Sequence, residues 1–498
     1  MSKWDTEVLI IGGGAIGTAV ARELSKYKVD VILIEKDVDF GQGRSKTADN
    51  MVSQAAVYEE WPLHSQVTRF AFGSYNVVER ECEELDVPQE REPNVFIFEN
   101  EAMRRRLDVI KEKADERIAS GILPKGVAPL QFIDQETLRR LEPNVNKKFV
   151  GGLYANNRSI IDSVRLCIAR AENAKENGIN IMVDTGVEAI SVGGSEFEVE
   201  TTKGSIKCRY IVNAAGEGVT EVARMANADD FGDFLPRTGT HVVLDKKLQG
   251  IVNNRVLVDE TNYIMHTVHG SIFYATGGAF PMVHKKGYHN TVKKTLDDCL
   301  AGVQYLVPDI SARDIINAFT GTVPMMTTDE EQWECKVGIS KWVPRFINAN
   351  IGFPGINASP AAAKEIVEGY LVHEGLKLEK KPHWNPYRKA IPVFSKLPDK
   401  ERRQLIAQDP RYGHLVCRCE TVTEGEICEA IRRGATTLDG VKFRCRPGMG
   451  RCQAGFCGPR VTRILARELG IPETEVTKKS PGSNTLSFRN KELLLENE

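Results

Sequence analysis

Residues 7–35 read EVLIIGGGAIGTAVARELSKYKVDVILIE: an apolar run, a glycine-rich turn, a helical stretch, a second apolar run and a closing acid. Gly12-x-Gly14-x-x-Gly17 places three glycines where a strand hands over to a helix, and Glu35 follows Gly17 by eighteen residues. In such a turn the first glycine permits the tight bend and the second lets backbone N–H groups approach a pyrophosphate. The third allows the helix to pack closely, and an acid at the end of the next strand accepts hydrogen bonds from a ribose diol. The stretch therefore predicts a βαβ dinucleotide site with Gly12, Gly14, Gly17 and Glu35 as binding residues. It does not separate FAD from NAD, although an acid at Glu35 disfavours a 2′-phosphate.

Working outward, apolar strand runs alternate with helical patterns, the mark of α/β organisation. Glu7 to Ile11 and Val29 to Glu35 read as buried parallel strands around a helix from Ala15 to about Lys26. The helix Ser163 to Asn177, the strand Ile179 to Val183 and the run Tyr210 to Ala214 return to that rhythm. Phe346 to Ile351 reads as a further buried strand leading to a helix from Ala361 to His373. Residues 81–143 are charged and helical without the βαβ rhythm and read as an insertion, while Val242 to Asp245 with Ile272 to Ala275 suggest a separate β-rich layer.

At 498 residues and 41% hydrophobic, the chain is long enough for two or three domains with buried cores. Its 66 Lys and Arg against 68 Asp and Glu give a net charge of -2, so no general attraction to nucleic acid or anionic lipid is expected. No apolar run reaches the length of a membrane span and no leader precedes the first strand, which predicts a cytoplasmic protein without an integral membrane segment.

Eleven cysteines in so long a chain do not resemble a secreted disulfide framework. Cys82, Cys167, Cys208, Cys299 and Cys335 are scattered and read as core filler. Cys417-Arg418-Cys419 and Cys452-x4-Cys457, with 32 residues between the pairs, read as four metal ligands. Four thiolates suit an iron–sulfur cluster, zinc or a pair of disulfides, and ligand type alone does not choose. From Val441 to Arg467 there are seven basic residues and no acid, a shell that would stabilise a cluster of formal charge about -2 or dock an acidic partner. Cys428 and Cys445 lie outside the pattern.

The segments GGGAIGTAVARELSKY, FIDQETLRRLEPNV, YIVNAAGEG, PRTGTHVVLDK and FINANIGFPGINASPAAA together resemble the FAD-dependent oxidoreductases of the D-amino-acid oxidase superfamily. Within it they are similar to the branch of L-2-hydroxyglutarate dehydrogenase and the anaerobic glycerol-3-phosphate dehydrogenase large subunit. CRCETVTEGE and GMGRCQAGFCGPRV resemble the bacterioferritin-associated-ferredoxin-like domain, in which Cys417, Cys419, Cys452 and Cys457 would hold a [2Fe-2S] cluster. The resemblance implies FAD as the nucleotide. Val187 would contact adenine, Ser45 and Gly216 would lie near the pyrophosphate and flavin, and Gly355 and Ile356 would line the isoalloxazine. It also implies a domain map: a Rossmann-like FAD-binding domain from 1–80, 144–234 and 336–375, and an inserted α+β substrate domain from 81–143 and 235–335. A linker at 376–410, a small helical [2Fe-2S] domain at 411–477 and a mobile tail at 478–498 complete it.

The substrate side departs from the family pattern. Where relatives carry Gly-x-Arg-Pro, with the arginine forking onto a substrate carboxylate, this chain reads Gly321-Thr322-Val323-Pro324. Where they carry a histidine in Val-His-Ala-Gly-Tyr, residues 52–58 read VSQAAVY. His241 is the candidate general base, with His266 and His269 nearby in sequence, and Met325, Met326, Phe353 and Trp61 would make the pocket apolar. Arg237 or Lys46 would be the substitute cation.

These readings combine into a dehydrogenase relay: a small substrate gives two electrons to the flavin, and the cluster passes them singly to a partner protein or subunit. The two departures predict a substrate that is not a simple carboxylate or phosphate. The same wiring also suits a reductase running in reverse, or an electron-transfer subunit whose catalytic centre lies on another chain.

Overall fold

The computed structural model describes residues 5–53, 65–123, 126–156, 158–194, 196–231, 234–259, 262–276, 293–326 and 335–488, with the side chains of 234–238, 259, 275–276, 293 and 322–326 outside the description. The chain forms two compact units, the first comprising Met1–Lys36 and Phe40–Arg388, the second Asp37–Asp39 and Lys389–Glu498.

The first unit holds two large sheets. In one, Thr6–Ile11 lies at the centre, parallel to both Val31–Ile34 and Gly204–Asn213. Asn180–Met182 extends one side. On the other side, one half of Gly204–Asn213 pairs with Phe197–Thr201 and the other half with Phe346–Asn350. The central strands are apolar on both faces because both faces are covered, as a parallel sheet requires. Leu9, Ile11, Ile34, Ile211 and Phe346 form its core.

The second sheet runs, in spatial order, Ile315–Met326, Phe234–Leu244, Ile272–Thr276, Asn262–His266, Arg255–Asp259, Asn94–Phe98, Gly151–Ala155 and Gln131–Asp134. Every neighbouring pair is antiparallel except Arg255–Asp259 with Asn94–Phe98. The predicted β-layer at 242–275 is therefore only its middle. Its two longest strands place Pro236 directly across from Pro324, and prolines at those positions argue against strands when the sequence is read alone.

Several expected boundaries fall differently. Residue 81 lies within the helix Val77–Glu84, where buried Glu81 takes hydrogen bonds from Arg22 Nη1 and Arg170 Nε at 3.0 Å each. That network ties the helix to the nucleotide-side helices Ala15–Leu24 and Ser163–Glu176. Gly151–Ala155, expected with the nucleotide domain, is hydrogen-bonded in the second sheet. The strands within 81–143 are only three to five residues long, too short for a periodicity to show.

Residues 376–410 are not a free linker. Their first part straps onto the first unit, where Lys381 N–H donates to Lys26 O at 2.8 Å, Arg388 N–H to Glu84 O at 3.0 Å and Trp384 Nε1 to Ser25 Oγ at 3.0 Å. Such a segment, lacking internal structure, must find partners for its backbone elsewhere. The helix expected from Ala361 starts at Gly355. Pro360 cannot donate to the carbonyl four residues back, and that carbonyl, Ile356 O, accepts instead from Ser359 Oγ at 2.9 Å.

In the second unit three helices, Glu424–Arg432, Leu438–Cys445 and Gly458–Leu469, enclose Ile427, Val441, Val461 and Leu465. Thr423 and Glu426 close a capping box at the first helix. Beyond Thr477 the described chain is held, with Ser483 Oγ accepting from the N–H groups of Lys478, Lys479 and Ser480 at 3.1, 3.0 and 3.1 Å.

Candidate functional site

At the glycine turn each glycine has a separate steric reason. Gly12 has φ +111°, and a Cβ there would stand 2.4 Å from Ala214 O. A Cβ on Gly17 would lie 1.8 Å from Gly12 O. Around Gly14 the nearest atom to such a Cβ is Ser45 Oγ at 3.7 Å, so this glycine faces open space instead of packed protein. That is the shape a pyrophosphate cradle needs. Gly13 N–H donates to Glu35 Oε2 at 2.6 Å and Ala15 N–H to Ser45 Oγ at 3.1 Å.

Around the turn the structure gathers the other expected residues of the nucleotide side. Thr185 N–H donates to Glu35 O at 2.8 Å, which brings the strand starting at Val187 beside the acid. Gly216, at φ +58°, opens a short helical turn two residues after Ala214, whose N–H donates to Ile11 O at 2.9 Å. Gly355 and buried Ile356 begin the helix Gly355–Lys364. Arg170 Nη1 joins that helix to the first one, donating to Ala15 O at 3.2 Å and Ser359 Oγ at 3.0 Å.

The second sheet turns an aromatic face toward the loop after Glu35. His241, only 6% exposed, stacks on Phe273 with ring centroids 5.0 Å apart and lies 5.1 Å from Phe319. Burial, reinforced by the Arg44 charge against opposition from Asp49, pushes its imidazole down to about 3. A group that weakly basic is a poor proton acceptor at neutral pH. Neither ring nitrogen has a hydrogen-bond partner among the described residues, a condition that calls for an explanation in a native interior.

Arg44 is the cation at this face that sequence reasoning missed. A Cβ on Gly321 would come within 2.4 Å of Arg44 Nη1 and 2.5 Å of Thr47 Oγ1, so the loop Arg44–Thr47 lies directly on the strand carrying Phe319. Arg44 Nη1 donates to Thr47 Oγ1 at 3.0 Å. Burial lowers its guanidinium from the ordinary value while Asp49 opposes the shift. Asp49 Oδ2 in turn accepts from Tyr263 OH at 2.8 Å, and the Arg255 guanidinium lies 3.9 Å from the Tyr263 ring centroid. The only sequence signal for Arg44 was its place next to Ser45.

The remaining candidates divide. His266 Nδ1 lies 2.8 Å from Glu92 Oε1 and His269 Nε2 lies 2.9 Å from Asp162 Oδ2, so both rings are engaged by carboxylates. Lys46 sits in the same turn as Arg44. Arg237 is directly across the ladder from Val323, but the side chains of both, with those of Met325 and Met326, lie outside the described residues, as do residues 54–58 and Trp61.

The four cysteines expected as ligands form two pairs. Cys417 and Cys457 are buried and hydrogen-bonded to each other, and Cys457 together with the backbone N–H groups of Gly448 and Glu420 pushes the Cys417 thiol down to about 6. Cys419 is exposed, Cys452 is half-buried, and their sulfurs are 3.7 Å apart. Two thiolates on one tetrahedral metal at about 2.3 Å stand about 3.8 Å from each other. Among the described residues no group of three or more ligands converges on one metal position. Four cysteine thiols in two pairs are a donor set that fits a two-iron cluster. A Cβ on Gly450 would meet Cys419 Cβ at 2.4 Å, so the loop must carry glycine to close over the outer pair.

Residues 7–369 match the family described as FAD dependent oxidoreductase. The chain belongs to that family. Residues 415–467 match the BFD-like [2Fe-2S] binding domain. The chain is 34% identical, over 97% of its length and 98% of the relative's, to a protein of Caloramator mitchellensis named glycerol 3-phosphate dehydrogenase. A relative from Haemophilus influenzae, named as one subunit of anaerobic glycerol-3-phosphate dehydrogenase, is 23% identical over 96% of this chain and 88% of its own. The solved structure of dithionite-reduced L-alpha-glycerophosphate oxidase from Mycoplasma pneumoniae with FAD bound is similar at a TM-score of 0.69 and 25% identity. That likeness covers 78% of this chain and 99% of the other. This FAD-dependent oxidoreductase is thus an FAD-dependent dehydrogenase whose second cofactor is a [2Fe-2S] cluster. Among its described residues no helix is long and apolar enough to cross a membrane.

Proposed function

We propose that this chain oxidises a small phosphorylated alcohol, with glycerol 3-phosphate the first candidate, and delivers the electrons singly to a partner protein in the cytoplasm. The observation that carries the reading is the match, along nearly the full length of both modules, to a relative named for that activity. Arg44 supports it by supplying a guanidinium against the strand in which valine stands at the position of the family's arginine, and thereby removes the reason for expecting a neutral substrate. FAD takes two electrons together and the [2Fe-2S] cluster hands them on one at a time.

In this reading Gly12, Gly14, Gly17 and Ser45 seat the pyrophosphate, Glu35 the ribose and Val187 the adenine, while Gly216, Gly355 and Ile356 line the flavin. Cys417, Cys419, Cys452 and Cys457 hold the cluster. His241 with Phe273 and Phe319 forms an apolar wall that excludes water, and its ring nitrogens await a hydroxyl. The domain roles follow: the parallel sheet binds the nucleotide and the antiparallel sheet the substrate.

The test is anaerobic mixing of the FAD- and iron-loaded protein with glycerol 3-phosphate, L-2-hydroxyglutarate and glycerol in turn. Flavin bleaching by glycerol 3-phosphate, followed by reduction of the cluster, is expected. Bleaching by glycerol or another neutral alcohol alone would return the substrate to the class that Val323 suggests.

A further inference from the structure

The basic stretch Val441–Arg467 is not a uniform cushion for the cluster. Arg444 is buried and bonded to Asp39, with Nη2 to Oδ1 at 2.9 Å. Arg446 Nε holds Glu420 Oε2 at 2.9 Å, Lys442 lies 2.9 Å from Asp439, and Arg467 lies 2.7 Å from Glu424. Those charges are spent on the unit's own acids. Two exposed arginines stand beside cluster ligands in the chain. Arg418 stands between two ligands, and Arg460 follows Cys457 by one helical turn. Phe456, next to Cys457, is 68% exposed, and the Arg418 guanidinium lies 5.9 Å from its ring centroid. Arg418 and Arg460 have no acidic partner among the described residues. The inner pair, Cys417 and Cys457, is closed off by the helical core, so the outer pair is the edge from which an electron would leave.

We infer that this rim docks an acidic protein carrying a one-electron centre. An exposed aromatic with an arginine against its ring and another exposed arginine on the following helix has the composition of an interface centre with a charged border. Like-signed charge around a redox edge orients an acidic partner toward it and speeds its encounter. Each encounter moves one electron, the cluster losing it and the carrier's centre gaining it, with no bond made or broken. The inference rests on the proposed function only for the direction of flow.

Dithionite-reduced holoprotein removes any dependence on the organic substrate. Its reoxidation is followed by stopped flow with two probes, an acidic plant-type [2Fe-2S] ferredoxin and a basic cytochrome c, at rising ionic strength. The expected result is faster transfer to the acidic probe, with a rate that falls at least tenfold between low and high salt. Arg418→Gln with Arg460→Gln should flatten that salt dependence, leaving iron content unchanged and the rate with a small neutral quinone far less affected. Phe456→Ala should slow transfer to the acidic probe without changing the salt slope. Equal rates with both probes, or a double variant that shifts only the potential, would overturn the inference and make the arginines tuning residues. So would tight co-sedimentation with phosphatidylglycerol vesicles that abolishes transfer to the acidic probe.

Discussion

The glycine turn and the aromatic face that carries His241 flank the same proposed reaction space and are built in opposite ways. The turn is local: within six residues, backbone geometry alone demands glycine at Gly12 and Gly17 and leaves Gly14 open. The face is assembled from strands at 241, 263, 273 and 319, with a loop at 44–49 laid against it. A local device is fixed by backbone sterics, while a distributed one is fixed by packing. Substitutions in the first should therefore act all or none, and in the second by degrees.

The largest effect separates two glycines that a motif treats alike. Gly17→Val should prevent folding, since its Cβ would stand 1.8 Å from Gly12 O, a backbone atom that cannot move aside. Gly14→Val should fold, because only Ser45 Oγ is near, yet bind FAD weaker by on the order of 100-fold or more, its branches filling the cradle. Circular dichroism and flavin content distinguish the two. A soluble, flavin-loaded Gly14→Val protein would break the proposed local half of the comparison.

Next is a buried carboxylate on the proposed substrate side. Glu142 is fully buried and accepts from Asn253 N–H at 3.0 Å and Asn254 Nδ2 at 2.6 Å. Burial nevertheless raises its pKa to about 7. The folded value exceeds the unfolded one, so this group's contribution is full below pH 4.5 and is lost as pH rises through 7. The difference is roughly 3 kcal/mol. Denaturant titrations at pH 5 and pH 8 should show that decline, and Glu142→Gln should flatten it. An unchanged pH dependence in the variant would assign the effect to other groups.

Arg44 comes third. Arg44→Ala should raise KM for glycerol 3-phosphate about 10- to 100-fold, with glycerol turnover and FAD content little changed. Arg44→Lys should recover part of the loss, because a point charge replaces a fork. If KM does not move, Arg44 only anchors its own loop through Thr47, and the anion is read elsewhere.

What was legible in the sequence follows the same division. Gly12, Gly14, Gly17 and Glu35 stand out in the sequence because a short spacing carries the constraint, and the pairs Cys417/Cys419 and Cys452/Cys457 likewise, whereas Ser45 came only with the family resemblance. Arg44 and Tyr263 do not stand out, since nothing near them in sequence says that residues 219 positions apart are neighbours. The long strands around Pro236 and Pro324 were hidden by their own prolines. The helix at Gly355 begins six residues before the sequence suggests, because Ser359 makes up for Pro360 in a way that only coordinates show. Glu81 looks like part of a solvated charged run. Its two arginine partners, Arg22 and Arg170, come from distant helices.

The smallest expected effect belongs to His241, the residue the sequence puts forward as the base. A general base working near neutrality would leave an ionisation in the pH dependence of kcat/KM, one that vanishes when the base is removed. An imidazole pushed down to about 3 between two phenylalanines stays neutral across pH 5 to 8 and can only position a hydroxyl. His241→Phe keeps the stack and removes the ring nitrogens, so it should cost less than about tenfold in kcat/KM, the scale of one neutral hydrogen bond. The pH profile of the variant should run parallel to that of the parent. A loss of a thousandfold or more, together with disappearance of an ionisation near pH 6 to 7, would restore His241 as the base. It would also show that bound substrate or flavin raises the basicity of this buried face, and the distributed half of the site would then act all or none as well.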